Sequence, residues 1–95
     1  MATYISLVNL TEQGVRNIKQ SPERVEAFKA AAAKLGVTVK ELYYTVGSYD
    51  IVTVTEGPDD AVLALLAQIG SMGNIRTQTF RAYSVDEMKK ALSKL

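Results

Sequence analysis

Residues 41–55, ELYYTVGSYDIVTVT, hold two runs rich in β-branched and aromatic side chains with Gly47-Ser48 between them. Such runs are strand-like, and they extend over Val39–Val46 and Tyr49–Thr55. A Gly-X pair between strands predicts a two-residue type II′ hairpin, because the first turn residue must take φ > 0, which glycine does without a Cβ clash. That turn sets the register. Val46 faces Tyr49, Tyr44 faces Ile51 and Leu42 faces Thr53 on one side, with Tyr43–Val52 and Glu41–Val54 on the other. Neither side is polar enough to face water as a whole.

Thr3–Leu10 (TYISLVNL) carries little charge on either face and predicts a central strand covered on both sides. The following Thr11–Gln20 segment contains Gly14, Val15 and Ile18 and predicts a short helical turn within a loop. Ser21-Pro22 predicts a helix start, with Ser21 as N-cap and Pro22 at the first helical position. Its apolar stripe is Val25, Phe28, Ala32 and Leu35, and Gly36 closes it. Pro58-Asp59-Asp60 opens a second helix, its acids matching the positive end of the helix dipole. Val62, Leu65, Leu66 and Ile69 give that helix a wide buried face, and Gly70 and Gly73 release it. Ile75–Tyr83 (IRTQTFRAY) alternates as a fourth strand. Ser84 and Glu87 form the S-x-x-E capping pattern of a terminal helix, expected to turn Met88, Ala91, Leu92 and Leu95 inward and its lysines outward.

The order β-α-β-β-α-β plus a C-terminal helix is the ferredoxin-like α+β arrangement, expected as one domain over residues 1–95. Right-handed crossovers place both main helices on one face of a four-stranded antiparallel sheet. The other face is then left semi-apolar and without cover, which predicts a homodimer packed sheet to sheet, a dimeric α+β barrel. Tyr44 is expected in that interface.

Composition removes whole classes of function. The formal net charge is +1 and no Lys/Arg run exceeds two residues, which argues against nucleic acid as a partner. No apolar stretch approaches the ~18 residues of a membrane span. The N-terminal residues lack the pattern of a signal peptide, so the cytoplasm is the expected location. With no histidine and no cysteine, no His-based triad and no haem-ligating imidazole can be built, and zinc or iron–sulfur sites are not expected. No metal and no cofactor is expected. Glycine-rich phosphate loops of the Walker or Rossmann type are also absent.

MATYISLVNLTEQGVRNIKQSPER, the turn TVGSYDIV, EGPDD before the second helix and GNIRTQTFRAYS together resemble the GYD-domain family across nearly all of the chain. The resemblance implies a small stand-alone protein with the dimeric α+β barrel fold, and it implies no particular reaction. Val46-Gly47-Ser48-Tyr49-Asp50, followed by Gly73-Asn74-Ile75-Arg76-Thr77, is more distantly similar to the effector-sensing domain of Lrp/AsnC-type regulators. In those domains a Gly-x-Tyr-Asp turn lies at the subunit interface where a small molecule binds. No DNA-binding helix-turn-helix precedes the turn here.

The candidate ligand-binding residues are Tyr44, Gly47, Tyr49, Asp50, Arg76 and Thr77. Gly47 has a sufficient structural role in its φ. Tyr49 is expected either to cover a sheet end or to touch ligand, and Asp50 either to accept backbone N–H bonds at the turn mouth or to do the same. Arg76 and Arg81 are bidentate clamps for carboxylate or phosphate when they are not simply solvated. Arg16 and Lys19 suit a lid as well as a solvated loop. Three readings follow. The first is a small-molecule-binding or regulatory homo-oligomer with an intersubunit cavity for an anionic or zwitterionic metabolite. The second is a cofactor-free oxygenase or isomerase, with Asp50 as base and Tyr44 or Arg76 stabilising an oxyanion. The third is a structural assembly module.

Overall fold

A computed structural model describes residues 2–95. The elements are β1 (Ala2–Leu10), α1 (Glu12–Arg16), a 3-10 turn (Ile18–Gln20), α2 (Ser21–Lys34), β2 (Thr38–Tyr44), β3 (Ile51–Gly57), α3 (Asp59–Gly70), β4 (Ile75–Ala82) and α4 (Val85–Leu92). The four strands form one antiparallel sheet in the order β2-β3-β1-β4, the ferredoxin-like order. β1 is central, but helices cover only one of its faces, so Ser6 and Val8 are buried while Ile5 and Leu7 opposite them are less completely covered.

The hairpin register agrees with the sequence at Tyr44–Ile51, Tyr43–Val52, Leu42–Thr53 and Glu41–Val54. The turn differs. The strands stop at Tyr44 and resume at Ile51, so residues 45–50 form a longer loop in place of a two-residue turn. Gly47 does take positive φ, at +113°. The ladder runs one step further through the Thr45 N–H to the Asp50 carbonyl (2.8 Å). It then breaks because the Asp50 N–H donates to the Val8 carbonyl of β1 (2.8 Å), which pulls the loop toward the central strand.

The core lies between α2, α3 and the sheet, around Ala32, Val37, Val62 and Leu65, with Phe28, Leu35, Leu66 and Ile69 packed on it. Leu65 is 2% exposed. Gln20 takes the N-cap position of α2, and Ser21 is the first helical residue. The Ser21 hydroxyl is therefore released from capping and bonds the Tyr44 hydroxyl (2.8 Å). Gly36, at φ +77°, reverses the chain after α2 as the sequence predicts. Helix α1 is fastened to the turn that follows α3: the Thr11 hydroxyl donates to the Gly73 carbonyl (2.6 Å) and the Gln13 amide to the Met72 carbonyl (3.1 Å). Gly14 is required there, because a Cβ would stand 2.1 Å from the Asn74 carbonyl oxygen.

Two expectations need correcting. Tyr44 shares the helix-side face with Leu42 and Ile51, since it bonds Ser21, and so does not lie on the helix-free face. The apolar residues of α4 do not turn inward on their own subunit. Every residue from Tyr83 to Leu95 is exposed, although the capping box forms fully, with the Ser84 N–H donating to the Glu87 carboxylate (2.9 Å) and the Glu87 N–H to the Ser84 hydroxyl (3.0 Å). The Cα radius of gyration is 14.5 Å, against about 12 Å for a compact chain of this length. The short link after β4 directs α4 away from the body, and one subunit offers no surface for it.

Candidate functional site

The helix layer closes well at one end of the sheet and poorly at the other. Where β1 ends and β4 begins, α2 and α3 stand off the sheet over an apolar cavity of about 260 Å³. Its walls include Val8 and Leu10 of β1, Ile51 of β3, Ile75 of β4, Val25 and Phe28 of α2, and Leu66 and Ile69 of α3. Of the hydroxyls on its sheet floor, those of Ser6 and Thr53 are already engaged. Ser6 bonds Thr79 (2.8 Å), and Thr53 donates to the Glu41 carbonyl (2.7 Å).

Arg24 is the charged group on this wall. Its Nη1 donates to the Asn17 carbonyl (2.9 Å), while its Nη2 is buried without a hydrogen-bond partner. The sequence reading passed over Arg24. A signal was present, since Arg24 stands four residues before Phe28 on the apolar side of its helix, where a cation is out of place.

The six residues nominated from the sequence are divided between the two faces. Thr77 lines the cavity, and Tyr44 adjoins it through Ser21. Arg76 lies one strand position away on the opposite, helix-free face and is exposed. Tyr49 reaches that same face, where its hydroxyl donates to Gln78 Oε1 (3.1 Å). Asp50 sits between them. Its carboxylate accepts the Leu10 N–H (2.8 Å), so it fastens the end of β1 and does not serve the turn mouth. Gly47 lies at the hairpin tip with open space around it. Arg16 pairs with Glu12 in an exposed (i, i+4) contact of 3.4 Å. Arg81 stacks on Tyr83, 4.4 Å from the ring centroid, and its Nη2 is 3.7 Å from Glu87.

Titration behaviour points to scaffold roles. The Tyr4 phenol is raised above its ordinary value, first because it donates to the Asp59 carboxylate. Tyr43 is raised by its hydrogen bond to Glu41 (2.9 Å). Glu87 is lowered by the backbone N–H of Ser84 within the capping box. Among the described residues no group of three His, Cys, Asp or Glu is placed to hold a metal ion, and no helix is long and apolar enough to cross a membrane.

The geometry defines a ferredoxin-like α+β domain with one helix-free sheet face and an apolar cavity under its helices. The GYD-domain model matches residues 4–92, and the chain belongs to that family. It is 33% identical over 90 residues to the glutamine synthetase and cystathionine beta-lyase binding protein of Thermus thermophilus, spanning 93% of this chain and 95% of that one. Among solved structures, TTHA0845 from Thermus thermophilus superposes with a TM-score of 0.56 at 26% identity, covering 90% of this chain and 96% of the other. FFRP-DM1 superposes with a TM-score of 0.58 at 24% identity, covering 87% of this chain and 100% of the other, a likeness of fold.

Proposed function

We propose that this chain is a non-enzymatic binding protein that works as a homo-oligomer in the cytoplasm, with two subunits packed through their helix-free sheet faces. One observation carries the reading: apolar side chains on the free sheet face and along the arm that nothing in the subunit covers. Ile5, Leu7, Val52 and Val54 lie at the centre of the free face, and all four are half-buried. At its margin Phe80 is 51% exposed, and Tyr83, Val85, Met88 and Leu92 extend the strip along α4. A monomer that leaves this much apolar surface in water is disfavoured. Burying two such faces and arms removes on the order of 1,500–2,000 Å², the range of stable interfaces. Tyr49, Gln78 and Arg76 border the same face, so a polar rim suited to an anionic or zwitterionic metabolite lies beside the joint. The Thermus relative is named as a binding protein for two metabolic enzymes, which supports an assembled surface offered to enzyme partners.

The test is sedimentation of wild type and Val54→Lys at micromolar concentration, followed by mixing each with purified glutamine synthetase from the same host. A wild-type dimer, a folded Val54→Lys monomer, and co-sedimentation with the enzyme by wild type alone are expected. A folded wild-type monomer contradicts the reading, and enzyme binding by both proteins separates partner recognition from assembly.

A further inference from the structure

We infer that the cavity between α2, α3 and the sheet is a binding site for a small monocarboxylate with a compact apolar body, with Arg24 as its anion anchor. The inference goes beyond the assembly reading, because every wall of this cavity belongs to one subunit.

The pocket, about 260 Å³, is partly open to solvent, and apolar surface left uncovered between two layers asks for an occupant. Its volume lies just below the ~300 Å³ at which sites for drug-sized ligands begin, which suits a small metabolite. Val8, Val25, Phe28, Ile51, Leu66 and Ile69 provide an apolar sleeve on both layers.

The polar equipment is one-sided, and this selects the ligand class. Arg24 carries a permanent charge and five N–H donors. Its Nη2 is buried without a partner, and among the described residues no acid pairs with it. A carboxylate is the group that meets a guanidinium edge with charge-assisted hydrogen bonds. No Asp or Glu lines the cavity, so the ammonium of an amino acid has no counter-charge there. Sugars and nucleotides need many free donors and acceptors, whereas Ser6, Ser21 and Thr53 already have partners, which leaves only Gln68, Asn74 and Thr77 to serve a polar ligand. Phosphate esters demand more than one cation, and Arg24 is alone. A neutral hydrocarbon fills the sleeve but leaves Nη2 unsatisfied.

The test uses hexanoate and phenylacetate, each compared with its uncharged amide, in calorimetric titrations and amide-resolved NMR of the assembled wild-type protein. At least one acid is expected to saturate, with shifts centred on the residues of the sleeve. Its amide and the Arg24→Gln variant should each bind roughly tenfold more weakly or worse, the scale of one lost charge-assisted contact. Ala27→Phe, at an exposed position on the cavity wall, keeps Arg24 and should weaken the acid by obstructing the sleeve. Sedimentation of the same samples keeps a loss of binding distinct from a loss of assembly. The inference is overturned if neither acid saturates by about 10 mM, beyond the millimolar edge of weak binding. Shifts that map to the Tyr49–Arg76 face overturn it too, as does Arg24→Gln binding like wild type. Should Arg24→Gln not fold, unchanged affinity in Ala27→Phe overturns it instead.

Discussion

The two ends of the helix layer are built from the same kinds of residue and packed to opposite standards. At the closed end Ala32, Val37, Val62 and Leu65 are each no more than 3% exposed. At the open end the same two helices present Val25, Phe28, Leu66 and Ile69 to a cavity, and a cation, Arg24, stands among them. Stability is concentrated where packing is complete. An uncovered apolar pocket and an unpartnered buried donor both lower stability, a cost that a ligand of the kind proposed would offset.

The contrast is tested first at the closed end. Leu65→Ala should lower unfolding free energy by about 2–5 kcal/mol, the usual loss for a fully buried leucine, read from chemical denaturation. A loss under about 1 kcal/mol would mean that the closed end repacks freely and the contrast is false. At the open end the sign should reverse. Arg24→Met gives up the exposed bond to Asn17 but also removes a buried donor without a partner, so ligand-free protein should gain up to about 1 kcal/mol. A loss as large as that of Leu65→Ala would make Arg24 a structural residue.

Most of the fold was legible because it rests on local rules. The strand periodicities, the Gly36 reversal and the Ser84–Glu87 capping box each follow from a few neighbouring residues, and each is present. The register of the β2–β3 hairpin followed too, although its turn proved longer, because the pairing of Asp50 with Val8 is a contact between distant segments that no turn rule includes. The side of the sheet on which Tyr44 and Arg76 fall depends on which face the crossover helices cover. Strand alternation relates residues to one another but does not say which set meets the helices. The clamp on Gly14 and the cavity around Arg24 were hidden for the same reason, since Asn74 and the sheet floor reach those residues only in three dimensions.

A smaller effect concerns the arm. Because the Ser84 N–H holds the Glu87 carboxyl below its ordinary value, the charged form stabilises the first turn of α4. For a depressed carboxyl, this contribution is present above the unfolded-state value and is lost as pH falls through the folded one. The α4 resonances should therefore lose helical character at the acid end of the carboxylate range before the sheet does. Glu87→Gln, which keeps a capping-box side chain, should flatten that dependence. Simultaneous loss of α4 and sheet would show that the arm is not held by its own cap.

The central claim is that the helix-free face and α4 are covered by a second copy of the chain, and the absence of cysteine makes the direct test clean. Val54→Cys places one thiol at the centre of the free face, and Ala30→Cys places one on the exposed side of α2. With a short bis-maleimide at micromolar protein, the account predicts rapid covalent dimer from Val54→Cys and almost none from Ala30→Cys, because packed sheets lie about 10 Å apart, too far for a direct disulfide but within reach of such a linker. Equal cross-linking of the two, or none at Val54→Cys, would contradict it.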